Sequence, residues 1–158
     1  MTSVTPPTSA PWLSDAEQRA WRNWLAVTVQ LPAALHRQLQ SEFDLSLQDF
    51  DVLVQLSEAE DERLRASDLA QSLQWERSRL SHHIKRMEKR GLVTRQECAE
   101  DGRGAFVVLA GPGREAVERA APAHVATVRS IVFDALDDAD VAAFTSTTGK
   151  ILARLRGD

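Results

Sequence analysis

The chain has 158 residues, 43% of them apolar, enough for one ordinary folded domain and too many for a disordered chain. Its net charge of −4 argues against general affinity for polyanions, and a single cysteine, Cys98, excludes an internal disulfide and suits a reducing, cytoplasmic setting. No apolar run approaches the ~18 residues of a membrane span, so no membrane partner is expected.

The start, MTSVTPPTSAPWL, has neither the basic nor the apolar region of a secretion signal, and its three prolines predict a loose arm. A helix is expected after Ser14, a suitable N-cap with Glu17 at capping-box spacing. Trp21, Trp24, Leu25, Thr28, Leu31, Leu35 and Leu39 follow at helical spacing. Pro32 interrupts that pattern and predicts a kink or break, because it removes a donor and crowds the preceding turn.

A second helix is expected from Ser46, with Asp49 at capping-box spacing and Phe50, Leu53, Val54 and Leu56 as its stripe. The segment EAEDER reads as a charged loop, and a short helix begins near Ser67 with Leu69, Ala70 and Leu73 inward. Gln74-Trp75 is a tight connection to a helix from about Glu76 to Arg90, which Gly91 stops. Beyond it, LVTRQECA and AFVVLA flank EDGRG, the pattern of a β-hairpin. Gly111-Pro112 opens a long helix with Val117, Ala121, Val125, Val128 and Val132 as its stripe and a kink expected at Pro122. A last helix starts near Asp137 or Asp138 and carries Val141, Phe144, Ile151, Leu152 and Leu155.

The order predicts a mostly α fold with a small β-hairpin wing: a winged helix-turn-helix between N- and C-terminal helices. Those outer helices would expose much apolar surface in one chain, so a two-fold homodimer through them is expected.

Charge is concentrated in RSRLSHHIKRMEKRGLV and the residues just after it. Residues 77–95 carry seven basic side chains against Glu88 alone, a net +6. On a helical wheel Leu80, Ile84 and Met87 share the core face, while Ser78, His82, Lys85 and Lys89 point the opposite way. Ser81 and Arg86 sit on the shoulders of the outer face. Such a helix can lie in the major groove of double-stranded DNA, with donors for base acceptors and phosphate oxygens. An ordinary solvated helix would look similar in outline, but the turn before it and the hairpin after it favour DNA.

His82 and His83 are neighbours, so they point about 100° apart and cannot readily chelate one ion. No metal and no cofactor is expected. His82 falls outward, and His83 toward the edge of the core as a packed, hydrogen-bonded residue. The wing turn places Arg103 between glycines at the hairpin tip, suited to a minor groove, with Asp101 placed to hold its guanidinium. Cys98 stands among Glu97, Glu100 and Asp101, which favour the neutral thiol over a redox role. No phosphate loop, nucleophile elbow or zinc spacing appears, so an enzyme is not expected.

SDLAQSL, RSRLSHHIKRMEKRGLV and DGRGAFVVLAGPG together resemble the MarR family of winged-helix transcriptional regulators, over about Leu45 to Gly113. The last piece follows the family's wing pattern: D-x-R, an apolar strand ending in Leu, then Gly. The resemblance implies a homodimeric regulator, usually a repressor, on a palindromic operator. It implies that Arg77, Ser78, Ser81, His82 and Lys85 meet the major groove and Arg103 the minor groove, with Asp101 supporting it. It divides the chain into an arm (1–13), an N-terminal dimerisation helix region (14–44), a DNA-binding lobe (45–110) and C-terminal dimerisation helices (111–158). Gln74 stands where family members often have Gly. Ala110 stands where a Thr often caps the next helix, with Gly111 as the substitute cap. Family members commonly bind small aromatic anions between the dimer helices and the DNA-binding lobe. Candidates here are Trp21, Trp24, His36, Arg37 and Phe50, although tryptophans at helical spacing are more often core or interface. His124 is a possible pH-sensitive interface group. The competing reading is a winged-helix protein-interaction module without DNA binding, which the +6 segment disfavours.

Overall fold

The computed structural model describes residues 12–97 and 104–157. Its helices are α1 (Asp15–Phe43), α2 (Leu47–Glu58), α3 (Ala66–Leu73), α4 (Arg77–Lys89), α5 (Gly111–Val128) and α6 (Asp138–Arg156). Its strands are β1 (Arg63–Arg65), β2 (Val93–Gln96) and β3 (Phe106–Leu109). The chain divides into two compact units, one ending at Ala34 and one beginning at Leu35.

In the first unit the Ser14–Glu17 capping box is formed: Ser14 Oγ accepts from Glu17 N at 3.2 Å, and Glu17 Oε2 accepts from Ser14 N at 2.7 Å. The helix runs through Pro32 without the expected break. Pro32 and Thr28, whose carbonyl loses its donor, are both exposed, so water can satisfy that carbonyl. Trp21, Leu25 and Val29 are about half exposed or more along this stretch.

In the second unit one core joins α2, α3, α4, α5 and the sheet. It is built on Leu53, Leu56, Leu69, Leu80, Ile84, Met87, Val93 and Val107. Each such side chain contributes roughly 1.5–3 kcal/mol by leaving water. Helix α2 starts as its sequence predicts: Ser46 Oγ accepts from Asp49 N at 2.9 Å and Asp49 Oδ2 accepts from Ser46 N at 3.0 Å. Asp137 and Asp140 form the same reciprocal cap at the start of α6. Gln74 ends α3 in the left-handed region at φ 56°, the conformation that makes glycine common at this turn.

The sheet has three strands, in the order β1-β3-β2, both pairs antiparallel. The sequence predicts two of them. Strand β1 begins on Arg63, the last residue of the expected charged loop, and is three residues long, too short to show an alternation of its own. It pairs Leu64 with Val107, and the Arg63 and Arg65 guanidiniums lie 4.7 and 4.6 Å from the Phe106 ring centre.

Helix α5 has Ala110 as its N-cap, not Gly111, and no side chain caps it. Gly113 is needed there for another reason: a Cβ at this position would lie 2.0 Å from the Leu92 carbonyl oxygen. Arg114 ties the start of α5 to Glu62, with its Nε 2.8 Å from Glu62 Oε1. The helix continues past Pro122 without interruption, and its irregularity falls later, in a wide π turn at Arg129–Phe133. Helix α6 buries none of its residues.

Candidate nucleic-acid interface

Helix α4 presents two chemically distinct faces. Leu80, Ile84, Met87 and His83 are buried, at 2%, 2%, 1% and 8% exposure. Arg77, Ser78, Arg79, His82, Lys85, Arg86 and Lys89 are exposed, and Ser81 is half-buried. The helix thus gathers seven of the sequence-predicted DNA-contact residues on one element: Arg77, Ser78, Ser81, His82, Lys85, Arg86 and Lys89. Asp101 and Arg103, the expected wing contacts, lie outside the described residues, as does Cys98. Arg77, Ser81 and Arg95 also border a cleft of about 140 Å³ between α3, α4 and the base of the hairpin.

The basic side chains of this segment are not equivalent. Arg79 lies over the Trp75 ring, 4.5 Å from its centre. Arg90 turns back from the end of α4 to α2, donating to Asp49 Oδ2 at 2.9 Å and to the Asp44 carbonyl. Arg95 approaches Glu88 at 3.9 Å. Among the described residues, Arg77, Lys85 and Lys89 have no acidic partner, so their charge is available to an external anion.

Asp49 and His83 connect the interface to the core. Asp49 Oδ1 lies 2.9 Å from His83 Nε2, bent out of line for an ideal hydrogen bond, so the contact is chiefly electrostatic. Burial alone would raise the Asp49 carboxyl. The His83 contact and the Ser46 donors outweigh that and hold it at about 2. His83 Nδ1 lies 3.0 Å from an Arg86 guanidinium nitrogen, and the Trp75 ring packs edge-on against the imidazole at 5.3 Å. His83 is therefore packed and polar-partnered, as its place on the wheel predicts. The roles of Asp49 and Arg90 were not visible in the sequence. Asp49 reads there only as a cap, and Arg90, 41 residues away, only as one more positive charge.

The candidate ligand residues fall in both compact units. Trp21 and Trp24, 51% and 39% exposed, belong to the first unit. His36, Arg37 and Phe50 belong to the second. His36 Nδ1 accepts from the Leu47 backbone N–H at 3.1 Å and so helps cap α2, while Arg37 is exposed. Phe50 is 5% exposed and packs at 4.5 Å against the ring of His124, which burial pushes below its ordinary pKa. Among the described residues no three acidic, histidine or cysteine side chains are grouped to hold a metal ion, and no helix is long and apolar enough to cross a membrane.

A model of the MarR family matches residues 43–104. The crystal structure of AbsC, a MarR family transcriptional regulator from Streptomyces coelicolor, is 43% identical, covers 94% of this chain and all of its own, and superposes with a TM-score of 0.87. Sco3205, a MarR family regulator of the same organism solved in complex with DNA, is 37% identical over 91% of this chain and 94% of its own, with a TM-score of 0.85. The S. aureus MepR–DNA complex shares the fold, with a TM-score of 0.77 at 19% identity over 86% of this chain and 97% of its own. No curated protein sequence gives a significant match. With 43% identity over nearly the whole of both chains, this protein belongs to the MarR family of transcriptional regulators.

Proposed function

We propose that the protein is a homodimeric, sequence-specific DNA-binding repressor that reads a palindromic operator with α4. The observation that carries this is the outer face of α4, where Arg77, Lys85 and Lys89 stand, among the described residues, without acidic partners beside Ser78, Ser81 and His82. Arg and Lys on such a face supply phosphate contacts and guanine readout, and Ser and His supply further donors. The DNA complex of Sco3205, at 37% identity, supports the same reading. Arg103, steadied by Asp101, is assigned to the minor groove.

Exposed apolar side chains on the outer helices support the dimer: Val29 is 71% exposed, and on α6 Phe144, Ile151, Leu152 and Leu155 are 42%, 45%, 45% and 77% exposed. A second copy that covers them also sets two α4 helices in register with half-sites about one helical turn, ~34 Å, apart. Release of the operator by a small aromatic effector, with Trp21, Trp24, His36, Arg37 and Phe50 as its candidate contacts, is part of the same proposal.

The test is operator affinity across ionic strength. Lys85→Ala and Lys89→Ala should each reduce the slope of log affinity against log salt by about one, because each removes one released counterion. Arg103→Ala should weaken the operator complex and leave the dimer intact. Absence of DNA binding even at low salt would favour the interaction-module reading instead. Small aromatic acids that fail to dissociate the complex would remove the effector from the account.

A further inference from the structure

The buried polar chain behind α4 assigns a task to two residues that do not face DNA. An arginine guanidinium has only donors, so the nitrogen of His83 that meets Arg86 must be the acceptor. Nδ1 is then unprotonated and the ring proton is on Nε2, the nitrogen that faces Asp49 at 2.9 Å. Asp49 is a fixed anion, anchored by the Ser46 backbone N–H and by Arg90. It therefore selects the tautomer that leaves Nδ1 free to hold Arg86. Among the described residues Arg86 has no acidic partner, so His83 is its anchor on an otherwise exposed flank.

We propose that Asp49 and His83 are positioning residues for Arg86, holding its guanidinium where it strengthens operator binding. This rests on the reading of α4 as the DNA-facing helix. The groups that face or neighbour His83 are Asp49 from α2, Arg86 on its own helix, and the uncharged Trp75 ring. Arg79 and Arg90 border the same open cleft, with Asp44 paired to Arg90.

Two conservative variants separate the two ring nitrogens. In His83→Gln the amide nitrogen can replace Nε2 toward Asp49, but no acceptor remains at the Nδ1 position. In His83→Asn the amide oxygen falls near Nδ1 and can still accept from Arg86. Operator affinity is measured for both, for Arg86→Ala and for the His83→Gln/Arg86→Ala double variant, with thermal unfolding to confirm that each is folded. At about pH 8, Arg86→Ala should weaken binding roughly tenfold, as expected for a lost charge-assisted contact. His83→Gln should weaken it about threefold and the double variant no more than Arg86→Ala alone, because the two act as one unit. His83→Asn should stay near wild type.

Effects of His83→Gln and Arg86→Ala that simply multiply would overturn the proposal, as would an affinity of His83→Asn as low as that of His83→Gln. Should Arg86→Ala bind operator as well as wild type, the DNA role of Arg86 fails. The coupling itself is then read without DNA, from the Arg86 side-chain N–H signal in NMR. A signal that does not respond to His83→Gln refutes the positioning role. If His83→Gln does not fold, Asp49→Asn takes its place, and an Arg86 signal that Asp49→Asn leaves unchanged refutes the positioning role.

Discussion

Replacing Asp49 with Asn removes one negative charge from a carboxylate that is 9% exposed and contacts His83, Arg90 and the Ser46 backbone. The folded state holds this carboxyl at about 2 instead of the ordinary 3.8, because the His83 and Ser46 contacts outweigh the cost of burial. That difference corresponds to roughly 2 kcal/mol of stability at neutral pH. A depressed acid contributes fully above its unfolded pKa and loses its contribution as pH falls through the folded value. The stabilisation should therefore be complete above about pH 5 and fade between about pH 4 and pH 2. Urea unfolding of wild type and Asp49→Asn, followed by circular dichroism at one fixed protein concentration, measures it. The variant should be about 2 kcal/mol less stable at neutral pH, and the two should converge near pH 2. Equal stability at neutral pH, or a gap that persists unchanged into acid, would refute the account of Asp49 as a paired anion.

Ile84→Ala should cost about 2–5 kcal/mol in the same unfolding assay, since Ile84 is 2% exposed at the centre of the second unit's core. Gly113→Ala should be destabilising by at least about 1–3 kcal/mol, because the added Cβ would meet backbone at Leu92, which has little freedom to move. Gln74→Gly should raise stability by up to about 1 kcal/mol by relieving a left-handed non-glycine residue, visible as a small rise in Tm. Ile151→Glu combined with Leu155→Glu should shift sedimentation toward the monomer, if the exposed apolar face of α6 is where a second copy packs.

The order of helices and the split of α4 into two faces were legible because both depend on local rules. Capping boxes at Ser14 and Ser46 and the 3.6-residue spacing of Leu80, Ile84 and Met87 need no knowledge of the rest of the chain. Strand β1 was not legible, because three residues hold no period and its pairing partner lies more than forty residues ahead. At Pro32 the sequence allowed for a break, but the helix continues through an exposed proline, where water can take the freed carbonyl. At the interface the sequence supplied which residues face outward. It could not say which positive charges are already engaged, since the partners of Arg79 and Arg90 are set by a turn and by a helix far along the chain.

The central claim is that two α4 helices read duplex DNA as a symmetric pair. Selection of bound sequences from random duplex DNA by the purified full-length protein tests it most directly. The account predicts an enriched inverted repeat with half-site centres about one helical turn apart, and loss of the enrichment when Lys85 and Arg77 are replaced by Ala. A pool that stays random at low salt, or an enriched site that survives those replacements unchanged, would contradict it.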